Sequence, residues 1–245
     1  MKKITLLSIA LLLSVIVLAQ KETTRSLASF SEISAHDGIN VYLKQGSKEE
    51  VRIQIEGNIE MEEVLTQVEA GKLKIHLEEN NYRNVDVTVW VTYKSLNAVS
   101  ASSAAQITGE SRIVTSGSFK VHVSSAGDVT LDIKANDLNI HASSAGDASL
   151  KAEVGTINAS ASSAGTVDIS GKATGIDVEV SSSGSFRASG LATEKADVSA
   201  SSGGSASVAV SEQLNARASS GGSIKYTGNP RMDISTSSGG SIRKS

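Results

Sequence analysis

The chain has 245 residues, a formal net charge of −3 and only 3% aromatic residues. This small negative charge and the shortage of stacking side chains disfavour a nucleic-acid partner. There is no cysteine, which excludes disulfides and a lipid anchor on a lipoprotein-type cysteine. The single proline leaves continuous β-ladders almost unobstructed.

The first segment has the features of a secretory signal peptide over residues 1–19. Two lysines give a basic start, residues 4–18 are almost entirely apolar, and a small-residue cleavage pattern follows. We expect the mature chain to begin at Gln20, with a short N-terminal tail over residues 20–26. The alternative is an uncleaved anchor, for which the apolar run is short. No transmembrane segment is expected after signal removal, so the predicted location is the periplasm, the outer-membrane surface or the extracellular space.

Residues 27–99 have a β-rich pattern that differs from the rest of the chain. Alternating apolar residues predict four strands, and Asn58 is placed to begin a short helical turn through Leu65. An open solenoid end exposes a sheet edge that promotes polymerisation. We therefore expect this segment to cap the first coil. The predicted strands are centred on residues 39–43, 51–55, 73–77 and 85–91.

Residues 100–245 contain an internal repeat. A Ser-Ser pair followed by two small residues recurs eight times at intervals of 18–22 residues, a period typical of stacked repeats. Apolar and polar residues alternate around each pair, as in a strand with one buried face. Equivalent residues one repeat apart are expected to pair in register. The pairs begin at Ser102, Ser124, Ser143, Ser162, Ser181, Ser201, Ser219 and Ser237.

These features predict an all-β fold, a right-handed parallel β-helix of about eight coils with an N-terminal β-rich cap. The glycine after each pair is expected to adopt backbone angles that other residues avoid, which lets the chain turn sharply. The serines are expected to bond to neighbouring backbone groups or to each other. The predicted corner residues are Ser124, Ser125, Gly127, Ser143, Ser144, Gly146, Ser162, Ser163, Gly165, Gly184, Gly204, Gly222 and Gly240.

Several features together resemble the head GIN domain family of auto-transporter adhesins. The resemblance covers nearly all of residues 27–245 and implies an exported β-helical protein of Bacteroidetes-like bacteria with an adhesin role. The residues that carry it are Phe30, Ile33, the Gly38-Ile39-Asn40 triplet before Val41–Gly46, the Gly71-Lys72-Leu73 hairpin and the Ser-Ser-Ala-Gly coils.

Two pairs of titratable residues fall in shared repeat columns. Asp128 and Asp147 are expected roughly 5 Å apart, a separation that suits glycoside hydrolysis or calcium. His122 and His141 are expected to stack on neighbouring coils, where two imidazoles could bind a transition metal weakly. We interpret both pairs as solvated surface residues, because the aspartate column continues as Thr and Ser and no third His lies nearby. We therefore predict no catalytic residue, no metal site and no cofactor.

The regular spacing leaves no room for the long inserted loops from which β-helix polysaccharide enzymes build their clefts. The leading hypothesis is an exported structural or adhesive module of the cell envelope, not an enzyme. Its expected partner is a cell-surface glycan or an envelope protein, bound through the solenoid faces. One alternative is a polysaccharide-active enzyme on the same fold. The other is a self-stacking subunit, a homo-oligomer joined through the C-terminal solenoid end.

Overall fold

The computed structural model describes residues 21–78 and 82–245. The predicted signal peptide over residues 1–19 lies outside these ranges, as does the predicted mature start at Gln20. The described residues form strands and one 3-10 turn at Met61–Glu63, and they contain no α-helix. No helix in these ranges is long and apolar enough to cross a membrane.

The chain winds into a parallel β-solenoid of about eight turns, which confirms the predicted fold class. Each turn contributes one strand to each of two faces. We call the face that carries the strand before each Ser-Ser corner face B, and the face that carries the strand after it face A. The strands before the repeat are β1 (Lys21–Ser26), β2 (Glu32–Ala35), β3 (Asn40–Gln45), β4 (Glu50–Glu56), β5 (Val64–Glu69), β6 (Lys72–Leu77) and β7 (Asp86–Tyr93).

In the later coils one long strand runs from face A onto face B without a break. β14 is the first of these and pairs with β12 and then with β13. The strands of the repeat are β8 (Ala98–Ala101), β9 (Gln106–Gly109), β10 (Ile113–Val114), β11 (Ser118–Val123), β12 (Asp128–Lys134), β13 (Asp137–Ala142), β14 (Asp147–Ala161), β15 (Thr166–Val180), β16 (Ser185–Ala200), β17 (Ser205–Ala218), β18 (Ser223–Thr227), β19 (Arg231–Thr236) and β20 (Ser241–Lys244).

The strand register agrees with the columns predicted from the repeat. On face B, Val121 pairs with Val99 in the coil before and with Ile140 in the coil after. On face A, Val129 pairs with Ile107 and Ala148. These side chains point inward and are at most 3% exposed, so they form the core between the two faces.

The predicted cap contributes strands to the solenoid itself. β2 and β3 pair in parallel with β8 and β9, and β6 and β7 pair in parallel on their other side. Spatial order therefore differs from chain order, because the segment that follows β3 returns to cover it. β4 pairs antiparallel with β7, and β5 pairs antiparallel with β6, one on each face.

The structure refines two local expectations near the N-terminal end. The predicted tail lies in β1 from Lys21 onward, because its backbone pairs antiparallel with β4. The helical turn predicted from Asn58 through Leu65 is confined to Met61–Glu63. Val64 already pairs with Leu77 in the sheet, so Val64 and Leu65 cannot extend the helical turn.

One arginine joins the two faces at the capped end. The guanidinium of Arg25, on the face A edge strand β1, donates to the carbonyl oxygens of Val64 at 2.6 Å and Met61 at 2.7 Å. It also donates to the Thr66 hydroxyl at 3.0 Å. Both Val64 and Thr66 belong to β5, the edge strand of face B. The charged side chain thus satisfies free carbonyl groups that the end of the solenoid would otherwise leave open.

The register predicts which substitutions the solenoid tolerates. Val129→Asp on face A or Ile140→Asp on face B buries a carboxylate without a partner, and we expect either to lower the unfolding free energy by more than about 3 kcal/mol. Asp128→Ala and His141→Ala alter outward neighbours on the same strands and should change it by less than about 1 kcal/mol. Chemical denaturation measures both sets. Equal tolerance of the two sets would contradict the register.

Candidate functional site

Each Ser-Ser corner is a tight four-residue turn. In the corner at residues 124–127, Ser125 and Ala126 have φ of 49° and 59°, and the Gly127 N–H donates to the Ser124 carbonyl at 2.9 Å. This is the geometry of a type I′ turn. The left-handed positions are thus filled by the second serine and by the residue after it, and not by the glycine that was predicted to adopt them.

The marker glycine is required for space. A Cβ built on Gly146 would lie 2.7 Å from the carbonyl carbon and oxygen of Val123 in the coil before. Contacts under 3 Å of this kind recur at each of the other predicted corner glycines, Gly127, Gly165, Gly184, Gly204, Gly222 and Gly240. Consecutive coils therefore approach so closely at this edge that a side chain would force them apart.

Backbone groups bond the corners to one another. The Ser143 N–H donates to the Val123 carbonyl at 2.9 Å, and the Ala126 N–H donates to the Ser144 carbonyl at 3.1 Å in the next corner. The serine hydroxyls were expected to make such bonds. In the part of the chain that the structure describes, no corner serine hydroxyl bonds to a backbone group or to another serine, and the Ser102 hydroxyl pairs instead with the ring of His36, with Nδ1 at 2.6 Å.

A further corner precedes the first Ser-Ser pair. Asp37 and Gly38 have φ of 62° and 70°, and the Gly38 N–H donates to the Ser103 carbonyl at 2.8 Å. Gly38 therefore fills a left-handed position, Ile39 is buried at 1% exposure, and Asn40 begins β3. The Gly-Ile-Asn triplet marks a solenoid corner, which the search for Ser-Ser pairs could not find.

Asp128 and Asp147 are neighbours, as predicted, in paired strands on face A. Burial, and then the nearby Asp147 carboxylate, raise the pKa of Asp128. The two carboxylates lie side by side on one surface, whereas glycosidase carboxylates flank the bond that they cleave. Neither residue lines any of the three grooves described below.

His122 and His141 stack on face B with ring centres 4.9 Å apart and planes inclined by 12°. They lie in a groove of about 450 Å³ whose other polar residues include Lys120, Asp177 and Glu179. His141 Nδ1 lies 2.7 Å from the Ser160 hydroxyl. Across residues 21–78 and 82–245, no three or more His, Asp or Glu side chains are grouped so that they could hold a metal ion.

Two further grooves lie away from the predicted residues. One, of about 760 Å³, follows the edge opposite the Ser-Ser corners and includes Val154, Ala173 and Val210. The other, of about 320 Å³, lies on face A near the capped end and includes Tyr42, Arg52 and Trp90. The Tyr42 and Trp90 rings are stacked with centres 6.0 Å apart. Sequence reasoning missed this cluster, because Trp90 of β7 lies between Tyr42 of β3 and Arg52 of β4 only after the chain returns to pair with both strands.

The corner geometry predicts opposite effects for two adjacent residues. Ala145 has a φ of 60°, so Ala145→Gly should relieve left-handed strain and stabilise the fold by about 1 kcal/mol. Gly146→Ala should destabilise it by about 1–3 kcal/mol or more, because the new methyl group meets backbone atoms. Urea denaturation measures both changes. A neutral Gly146→Ala would refute the close approach, and Ser149→Ala, at a half-buried outward position, serves as the control.

The histidine pair predicts a loss of stability in weak acid. Burial, and then the nearby His141, lower the pKa of His122, so the folded state binds its proton more weakly than the unfolded state. Stability should therefore fall as pH drops below the unfolded pKa of about 6.5. His122→Asn should reduce the fall in thermal midpoint between pH 7 and pH 5, whereas Asn139→Ala should not. Identical pH profiles for the wild type and His122→Asn would contradict this.

Solved structures share this architecture. A crystal structure of a putative adhesin from Parabacteroides distasonis has a TM-score of 0.85 and 21% identity, covering 92% of this chain and 97% of that one. A putative adhesin from Parabacteroides merdae has a TM-score of 0.82 and 17% identity, covering 92% and 96%. A putative lipid binding protein from Parabacteroides distasonis has a TM-score of 0.79 and 21% identity, with the same coverage. At these identities the likeness shows the fold.

No protein of curated function matches the chain. The family described as putative auto-transporter adhesin, head GIN domain, matches residues 29–230. That range includes the Gly-Ile-Asn corner, the strands that return to cover it, and seven of the eight Ser-Ser corners. The chain belongs to the head GIN domain family.

Proposed function

We propose that this protein is an exported, non-catalytic module of the cell envelope that binds a glycan or a protein partner through the outward faces of its solenoid. The observation that carries the proposal is the register of the outward columns beside the Ser-Ser corners, which continues from coil to coil. On face B, His122 pairs with Ser100 and His141, and the column continues through Ser160 and Glu179. Side chains repeated at a fixed spacing suit many modest contacts with an extended partner.

The arrangement of acidic residues supports binding over catalysis. A polysaccharide-active enzyme needs groups that converge on one reacting centre from which water can be excluded. The stacked Asp128 and Asp147 lie on a flat face outside the grooves. The adhesin descriptions of the family and of its solved neighbours agree with a binding role.

Self-stacking remains the other alternative. Met232 and Ile234 are 51% and 48% exposed, although they occupy inward columns of the last described coil. A second copy placed against them would extend both faces. This alternative predicts that the captured partner is the protein itself, and that Met232→Lys abolishes capture.

An envelope-binding experiment tests the proposal. Purified protein is sedimented with envelope fragments that are untreated, oxidised with periodate or digested with protease. We expect cosedimentation with untreated fragments. Its loss after periodate identifies a glycan partner, and its loss after protease identifies a protein partner. Absence of binding to every fraction would refute the proposed function.

The same samples test for catalysis. We expect the length of added polysaccharide chains to stay unchanged, as followed by size-exclusion chromatography. The control is the double variant Asp128→Asn with Asp147→Asn, which keeps the shape of both side chains. If the wild type shortens a polysaccharide and this variant does not, the protein is an enzyme and the binding proposal is wrong.

A further inference from the structure

The outward aromatic side chains are concentrated at one place. Trp90 is the only tryptophan of the chain, and it is half-buried beside Tyr42 on face A. All three phenylalanines and two of the other tyrosines lie in the core, and Tyr82 is partly buried. An outward pair of large rings is therefore exceptional in this molecule.

The pair belongs to a row that crosses several strands. Arg52 of β4 and Tyr42 of β3 are the two pairing partners of Trp90. The guanidinium carbon of Arg52 lies 3.6 Å from the Trp90 ring centre, and the Tyr42 ring is inclined by only 20° to the Trp90 ring. Arginine and tyrosine therefore hold the indole in place from both sides.

One side of the row is open. The next residue after Tyr42 is Thr108, followed by Thr130 in the next coil. Because these side chains are small, no aromatic neighbour covers the side of the Tyr42 ring that faces away from Trp90. Tyr42 is 37% exposed, so the row ends in an accessible ring that is held rigid from behind.

Polar groups with free bonding capacity surround this ring. The groove of about 320 Å³ also includes Lys44, Thr92 and Glu110, and its volume falls at the lower end of the range for small-ligand sites. Within the described part of the chain, the Tyr42 hydroxyl, the Trp90 indole N–H, the Lys44 ammonium and the Glu110 carboxylate have no hydrogen-bond or ion-pair partner. The groove thus offers donors and acceptors next to an apolar ring surface.

We propose that this groove binds a neutral pyranose unit of a glycan. A pyranose has an apolar C–H face that packs on an aromatic ring, and hydroxyls at its rim that both donate and accept hydrogen bonds. Tyr42 would receive the C–H face, while Lys44 donates to sugar hydroxyls and Glu110 accepts from them. This inference deepens the proposed function, on which it rests, by naming the partner class and its site.

The charges and the size of the site favour a neutral sugar. Arg52 and Lys44 are balanced locally by Glu22, Glu50 and Glu110, and Arg52 already pairs with Glu22 at 3.3 Å. An anionic ligand would therefore meet three carboxylates. A stable protein partner needs about 800 Å² on each side with a fully buried centre, whereas this site offers one exposed ring among hydroxyls and charges.

Intrinsic fluorescence tests the site directly, because Trp90 is the sole tryptophan. Full-length protein is titrated with oligosaccharides of mannan, galactan and β-glucan, and with an oligouronate as the charged comparison. We expect at least one neutral probe to shift the emission. Tyr42→Ser should weaken its binding by about tenfold or more, whereas Tyr42→Phe should retain it. Lys44→Ala, which leaves the stacked row intact, should weaken it severalfold.

The matched control for Lys44→Ala is Lys48→Ala, which removes an exposed lysine from the loop between β3 and β4, outside the groove, and should leave affinity unchanged. Thermal melts confirm that each variant is folded. Tyr42-dependent binding of the oligouronate alone would overturn the neutral class, and full affinity in both Tyr42→Ser and Lys44→Ala would overturn the location. If Tyr42→Ser still captures periodate-sensitive envelope material, the site is wrong and the proposed function stands. If the wild type captures none, the proposed function itself fails.

Discussion

The close approach of consecutive coils at the Ser-Ser corners is the constraint on which the rest of the structure depends. A glycine hydrogen faces the carbonyl group of the coil before, as Gly146 faces Val123, and corner amides bond to the next corner, as Ala126 bonds to Ser144. These contacts fix the rise between coils near the 4.8 Å of a β-ladder. Because the strands of both faces meet at this edge, the register set at the corners is also the register of the strands beside them on each face.

A fixed register compensates for a thin core. Ala159, Ala161, Ala216 and Ala218 fill inward positions, and an alanine buries much less apolar area than a leucine or valine. Most ion pairs are solvent-exposed, as between Arg112 and Asp132, and such pairs contribute little. Stability therefore depends on ladders that continue from coil to coil, in which each repeat is held mainly by its two neighbours.

The sequence was sufficient for the parts of the fold that repeat. Columns such as Val99, Val121 and Ile140 could be aligned because the same turn recurs, and their pairing follows from the period. The marker glycine was placed at the turn for the wrong reason. Residue identity alone does not distinguish a glycine required by a left-handed φ from one required by a near neighbour, and only the stacked geometry separates the two.

The segment before the repeat could not be derived in this way. Its strands alternate clearly, but β6 and β7 stack before β2 and β3 in space although they follow them in the chain. No period specifies such a crossover. The contacts that depend on this crossover could therefore not be predicted from the sequence. They include the hydrogen bonds from Arg25 to β5 and the row of Arg52, Trp90 and Tyr42.

The same distinction explains where a specific ligand site can arise. In the first coils of the repeat, outward residues on face A are neighbours of near copies of themselves, as in the run of Thr108, Thr130 and Ser149. A run of small hydroxyls makes a flat surface with little selectivity. The strands before the repeat are free of that period, so they can place an arginine, an indole and a phenol in sequence. Face A thereby combines a run of small hydroxyls with an aromatic row at the capped end, and the stacked coils hold the row and the run in fixed positions.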